Sequence, residues 1–117
     1  DQILRRLAEP RVLHAYGERG EALIDADEII RIYTENRRVL LECKAGVYQL
    51  RCRLYELEET LDPAEFIRIS NSEIVGRRWI RDLDFSLTGT IRLTLKNGGC
   101  CYVSRRYVPR IRRAFEE

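Results

Sequence analysis

Residues 90–103 constrain the fold most tightly. Ile91, Leu93 and Leu95 alternate with Arg92, Thr94 and Lys96, and the dipeptide Asn97, Gly98 follows at once. Strict alternation puts apolar side chains on one face of a strand and polar ones on the other. Asn-Gly is a strong signal for a tight hairpin turn. Residues 100–103 then read as the returning strand.

The same pattern recurs upstream. Residues 11–16 and 21–25 flank a turn at 17–20 and read as a hairpin. Asp27, in the stretch Ala-Asp-Glu, offers the start of one tight turn. Residues 29–35 and 38–44 are β-rich runs around Asn36 and Arg37, and Ala45 and Gly46 lead to a strand at 47–52. A strand is expected at 66–70, followed by a short turn or helix at 72–76. Residues 79–87 and 90–96 flank Thr88 and Gly89 as a further hairpin.

Two helices interrupt the strands. In residues 53–61, Leu54, Leu57 and Leu61 share one face, while Glu56, Glu58 and Glu59 form a wet face. Asp62 and Pro63 end that helix. Ser104 can cap a final helix near 105–116, with Val108, Ile111 and Phe115 on its buried side. Pro109 then falls in the first turn, where a missing N–H does least harm. The expected class is mainly β: antiparallel sheets with a short internal helix and a C-terminal helix.

A chain of 117 residues, 44% of them hydrophobic, suits one domain with a core of its own. No apolar run approaches the roughly 20 residues that span a bilayer. Arginines and acids interrupt every apolar stretch of residues 1–20, so no signal peptide is visible and a cytoplasmic location is expected. The chain starts at Asp1 and lacks Met, which suggests an excised piece or a mature end. Ile3, Leu4 and Leu7 stand at helical spacing. Residues 1–10 therefore read as the tail of an upstream segment, and residues 11–117 as the domain.

Catalytic and metal chemistry find little support. His14 is the single histidine, so no Ser–His–acid set can be assigned. Cys43, Cys52, Cys100 and Cys101 lack ligand spacing, and no metal or cofactor is expected. They read as buried or half-buried free thiols. Cys100 and Cys101, adjacent on a strand, should face opposite ways.

Charge points elsewhere. Residues 1–65 carry ten basic and fourteen acidic side chains, whereas residues 66–117 carry eleven basic and five acidic. Such segregation builds a local field. Nineteen of the 21 basic residues are arginine, which binds phosphate and guanine through two parallel hydrogen bonds. Two strand ends concentrate short polar and guanidinium groups: Ser70, Asn71 and Ser72 after one, Ser104, Arg105 and Arg106 after another. Such groups suit phosphates and base edges. Arg106 at a helix start opposes the helix dipole, which favours an anion-binding role over a structural one.

Five pieces, in order and with the right spacing, resemble the LytTR family of bacterial DNA-binding domains. They are EIIRIYTENRRVLL, RLYELEETL, FIRISNSEIV, LTLKNG and VSRRYVPRIRR, and the resembling stretch as a whole runs from about residue 12 to 115. RLYELEE, FIRIS and SRRYVP are most similar to the small stand-alone regulators of the family. Ser70 stands where the family often has His, and Gly76 where it usually has Asn.

The resemblance implies a β architecture without a helix-turn-helix. It implies loops at strand ends that enter successive major grooves of double-stranded DNA, with two copies on a repeated site. Carried over, the base-reading positions fall on Arg37 in the loop 34–38, on Asn71 and on Arg106. Arg38, Ser72, Arg77, Arg78, Ser104 and Arg105 are expected on phosphates. The implied function is that of a sequence-specific effector domain of a transcriptional regulator. The alternative is a β-rich interaction module that docks an acidic protein on its basic face.

Overall fold

A computed structural model describes residues 11–115; the expected helix end at residues 1–8 lies outside them. Among the described residues ten strands and two α-helices follow one another. They are β1 (Val12–Gly17), β2 (Gly20–Asp25), β3 (Ile29–Glu35), β4 (Arg38–Cys43), β5 (Gly46–Leu50), α1 (Leu54–Thr60), β6 (Phe66–Ser70), β7 (Glu73–Gly76), β8 (Ile80–Asp84), β9 (Ile91–Leu95), β10 (Cys100–Val103) and α2 (Val108–Phe115). Short 3-10 turns occupy Ala26–Glu28, Arg77–Trp79 and Arg105–Tyr107.

The strands form two antiparallel sheets. Seven run in the order β2-β1-β5-β4-β3-β7-β6, and three in the order β10-β9-β8. The mainly β expectation, with an internal and a C-terminal helix, holds.

The larger sheet separates two apolar cores. On one face Leu54 and Leu57 of α1 pack with Ile29, Ile32, Leu41, Phe66 and Ile74. On the other, Ile30, Ile67, Ile69 and Val75 meet Ile91, Leu93, Leu95 and Val103 of the small sheet and Ile111 of α2. A bulge between Ile29 and Arg31 explains how Ile29 and Ile32, three apart, both reach the first core.

Several boundaries differ from the sequence reading, each for a local reason. The stretch 72–76 is not a turn or helix: β7 pairs with both β6 and β3. It hid because Ile74, Val75 and Gly76 are all buried between the two cores, so no polar alternation marks a strand. β8 ends at Asp84 rather than residue 87, because the Asp84 carboxylate accepts from Ser86 N (3.0 Å) and Ser86 Oγ (2.6 Å) and turns the chain. Ser104 precedes a 3-10 turn, and its side chain makes no cap bond. The turn at Ala26–Glu28 is capped by Asp25, not started by Asp27. Cys100 is exposed rather than buried, whereas Cys101 is buried; the two do face opposite ways.

Gly76 permits a close approach of two strands. A Cβ there would lie 2.5 Å from the carbonyl oxygen of Ile29. The glycine, where the family usually has Asn, lets β7 lie against the bulged part of β3.

Candidate nucleic-acid interface

One edge of the large sheet collects the polar strand ends. The β3–β4 turn is the pair Asn36 and Arg37, with φ of 53° and 66°. Two successive positive φ values define the turn that matches the twist of a hairpin. Asn tolerates this backbone well, whereas Arg pays a steric cost.

The β6–β7 turn lies beside it, because β7 pairs antiparallel with β3. Thr34 N donates to Ser72 O at 3.0 Å, joining the two turns. Ser70 closes this second turn: its Oγ accepts from Ser72 N at 3.1 Å. Serine, in the place of the family's frequent histidine, thus acts as a local turn cap.

The third strand end is brought in by β6. Ser104 N donates to Ile69 O at 2.9 Å, and the Tyr107 hydroxyl donates to Asn71 Oδ1 at 3.2 Å. The three segments 36–37, 71–72 and 104–107 therefore form one continuous row. Packing holds it more than these bonds do. Burying one Leu or Ile stabilises by roughly 1.5–3 kcal/mol, against about 1 kcal/mol for a hydrogen bond. Ile69, Ile74, Val75 and Val103 lie buried just behind the row.

Arg37, Arg38, Asn71, Ser72, Arg105 and Arg106 are exposed on this edge, and Ser104 is half-buried. No hydrogen bond or ion pair engages the Arg37, Arg38 or Arg106 guanidinium among the described residues, so these cations face solvent. Arg105 lies across the β8–β9 loop: a Cβ on Gly89 would stand 3.2 Å from its Nη2. Arg77 and Arg78 are not brought here. They follow the opposite end of β7, where Arg77 stacks on Phe115 with Cζ 4.5 Å from the ring centre, and Arg78 pairs with Asp27 at 3.4 Å.

Sequence reasoning missed the groups beneath the row. The Arg68 side chain is only 10% exposed. Its Nε donates to Ser70 O at 2.8 Å and its Nη2 to Asn71 O at 2.7 Å. Its Nη1 bonds Glu58 Oε1 at 2.6 Å, and Arg110 Nη1 bonds Glu58 Oε2 at 2.8 Å. Glu58 is thus not simply part of a wet helix face. Burial alone would raise its pKa, but the hydrogen bonds from Arg110 and Arg68 outweigh that and hold the carboxyl below its usual range. Glu56 also has a local task, accepting from Arg53 N at 2.7 Å at the start of α1. The available signal was strand parity: Arg68 shares the face of Phe66, toward a helix rich in glutamate.

A second polar cluster ties the sheets together. Arg31 bonds Glu42 (2.7 Å) and Glu73 (2.9 Å), and the Cys101 thiol donates to Glu73 Oε2 at 3.2 Å. Burial, with Glu73 beside it, pushes the Cys101 pKa up to about 12. That thiol stays protonated and unreactive at neutral pH.

The sequence model of the LytTr DNA-binding domain family matches residues 20–116. The chain belongs to that family. Uncharacterized HTH-type transcriptional regulators of Staphylococcus aureus strains NCTC 8325 and COL are each 36% identical to it over 106 residues, which is 91% of this chain and 71% of theirs. The LytTr DNA-binding domain of a methyl-accepting/DNA response regulator from Bacillus cereus superposes with a TM-score of 0.84 at 20% identity, covering 88% of this chain and 94% of that one. At that identity the likeness establishes the LytTr fold. The chain is thus a LytTr DNA-binding domain of the kind found in transcriptional regulators, a family that is not an enzyme class. Among the described residues no helix is long and apolar enough to cross a membrane.

Proposed function

We propose that this LytTr domain is a sequence-specific DNA-binding effector domain whose three-turn edge reads successive major grooves. The observation that carries the reading is the row itself: exposed Arg37, Asn71 and Arg106 issue from three turns joined by backbone hydrogen bonds. Arginine pairs with guanine O6 and N7, and asparagine with adenine N6 and N7. Arg38, Ser72, Ser104 and Arg105 flank these groups and are assigned to phosphates. Arg77 and Arg78 are left out of the interface, since they stand at the far end of β7. Two copies on a repeated site would extend the contact along one side of the duplex.

The test is titration of the wild type, Asn71→Ala and Arg106→Ala against selected and scrambled duplexes at two salt concentrations. Each variant should bind the selected duplex roughly ten- to a hundredfold more weakly and lose base preference at one position. Arg38→Ala or Arg105→Ala should weaken all duplexes alike and reduce the salt slope by about one. Folded Asn71→Ala and Arg106→Ala variants that keep full discrimination would overturn the assignment. A shallow salt slope with no preference among duplexes would favour an acidic protein partner instead.

A further inference from the structure

Asn71 is gripped at two points, and the grips belong to one closed ring of side chains. Arg68 donates to the Asn71 backbone carbonyl (2.7 Å) and to Glu58 (2.6 Å). Glu58 accepts from Arg110 (2.8 Å), whose Cζ lies 4.9 Å from the centre of the Tyr107 ring. The Tyr107 hydroxyl then returns to Asn71 Oδ1 (3.2 Å). The ring thus links β6, α1, α2, the third turn and the second turn.

We propose that Tyr107 and Arg68 are positioning residues that hold the Asn71 amide in the place and plane in which the DNA meets it. The inference rests on Asn71 being a base-reading residue. An asparagine amide carries an acceptor oxygen and a donor NH2 of nearly equal size, and rotation by about 180° exchanges them. A free amide at a loop tip samples both orientations and discriminates poorly. The hydroxyl of Tyr107 donates to the amide oxygen and so ties the Asn71 side chain to the third turn, which restricts its rotation. The oxygen keeps a second lone pair, so the pinned amide still accepts one further bond. Adenine offers the matching pair, N7 as acceptor and N6 as donor. Arg68 fixes the peptide from which the amide projects, and Glu58 holds Arg68 in place through a charge-assisted bond.

This differs from a merely structural role, because the effect must pass through one side chain and appear at one base pair. The experiment compares base-preference profiles of the wild type, Tyr107→Phe, Arg68→Lys and Asn71→Ala, with both positioning changes repeated in the Asn71→Ala background. Tyr107→Phe removes one oxygen from a half-buried residue and keeps the ring. It should weaken binding to scrambled duplex far less than it weakens discrimination between duplexes. Discrimination should fall roughly three- to tenfold, the worth of one hydrogen bond, at the base pair that Asn71→Ala flattens. Arg68→Lys should act at the same pair. Neither should act further once Asn71 is alanine.

A DNA-free measurement separates this inference from the reading beneath it. The side-chain amide signal of Asn71 in a nitrogen–proton NMR spectrum should shift or broaden in Tyr107→Phe. An unchanged signal, a change at a different base pair, or an equal effect in the Asn71→Ala background would overturn the positioning role. A wild-type domain without base preference would overturn the DNA reading and the specificity role with it, while the NMR shift would still report the grip on the amide.

Discussion

Replacing Gly76 by alanine sets two effects of opposite sign against each other. The backbone there has φ of −73°, open to any L-residue. In free space the change would stabilise by about 0.4–1 kcal/mol, through restriction of the unfolded chain. But the new Cβ would stand 2.5 Å from Ile29 O and 3.3 Å from Trp79 Cδ1. Even a close carbon–oxygen contact needs about 3.3 Å, so β7 and β3 must separate by roughly 0.8 Å. They cannot do so freely, since β4 holds β3 from the other side. Overpacking costs about 1–3 kcal/mol and occasionally more. The steric cost wins, with a net loss of about 2 kcal/mol. In a domain of this size that lowers Tm by roughly 10 °C. Urea unfolding followed by Trp79 fluorescence measures it, with the midpoint falling and the slope unchanged. Gly76→Asn, the residue usual in the family, should cost at least as much. A Gly76→Ala variant as stable as the wild type would refute the close approach of β7 to β3.

Arg37→Gly should stabilise the fold by about 1 kcal/mol, because it relieves a side chain held at positive φ, while weakening specific DNA binding; thermal unfolding and titration together check it. Glu58 is held below its ordinary carboxyl value of 4.5 in the folded state. Its contribution is therefore fully present above that pH and is lost as pH falls through the lower, folded value. Urea midpoints measured below about pH 4.5 should fall more steeply for the wild type than for Glu58→Gln. Leu93, fully buried in the core between the sheets, should cost about 2–5 kcal/mol when truncated to alanine, read from denaturant unfolding. A thiol reagent should modify exposed Cys100 in the native protein and reach Cys101 only on unfolding, as peptide mapping would show.

The hairpins were legible because their alternation and turn residues are local signals. Helix α1 was legible because Leu54 and Leu57 repeat at helical spacing ahead of Pro63. β7 was not, since a four-residue strand buried on both faces carries neither period. Asn71 and Arg106 could each be read as polar groups at strand ends. Their assembly into one row depends on β3 pairing with β7 and on Ser104 meeting Ile69, contacts between distant residues that no local pattern records. Arg77 and Arg78 look like Arg105 and Arg106 in the sequence, yet the direction of β7 carries them to the other end of the sheet. Arg68 was overlooked because an arginine between two isoleucines reads as the solvent side of a strand, and only the docking of α1 shows that this side is covered.

The β3–β7 ladder also orders events in time. The pairings β1–β2, β3–β4 and β4–β5 each join neighbours in the chain, and such local hairpins close within microseconds. Arg31 and Glu73, by contrast, are 42 residues apart and meet only when β7 docks on β3. Closing so long a loop is the slow, entropically costly part of assembling a β-domain. A growing polypeptide that has emerged through residue 70 can already display the Asn36 and Arg37 turn, but with nothing beside it. The three-turn edge is therefore complete only after two long-range contacts have formed, β7 on β3 and Ser104 on Ile69.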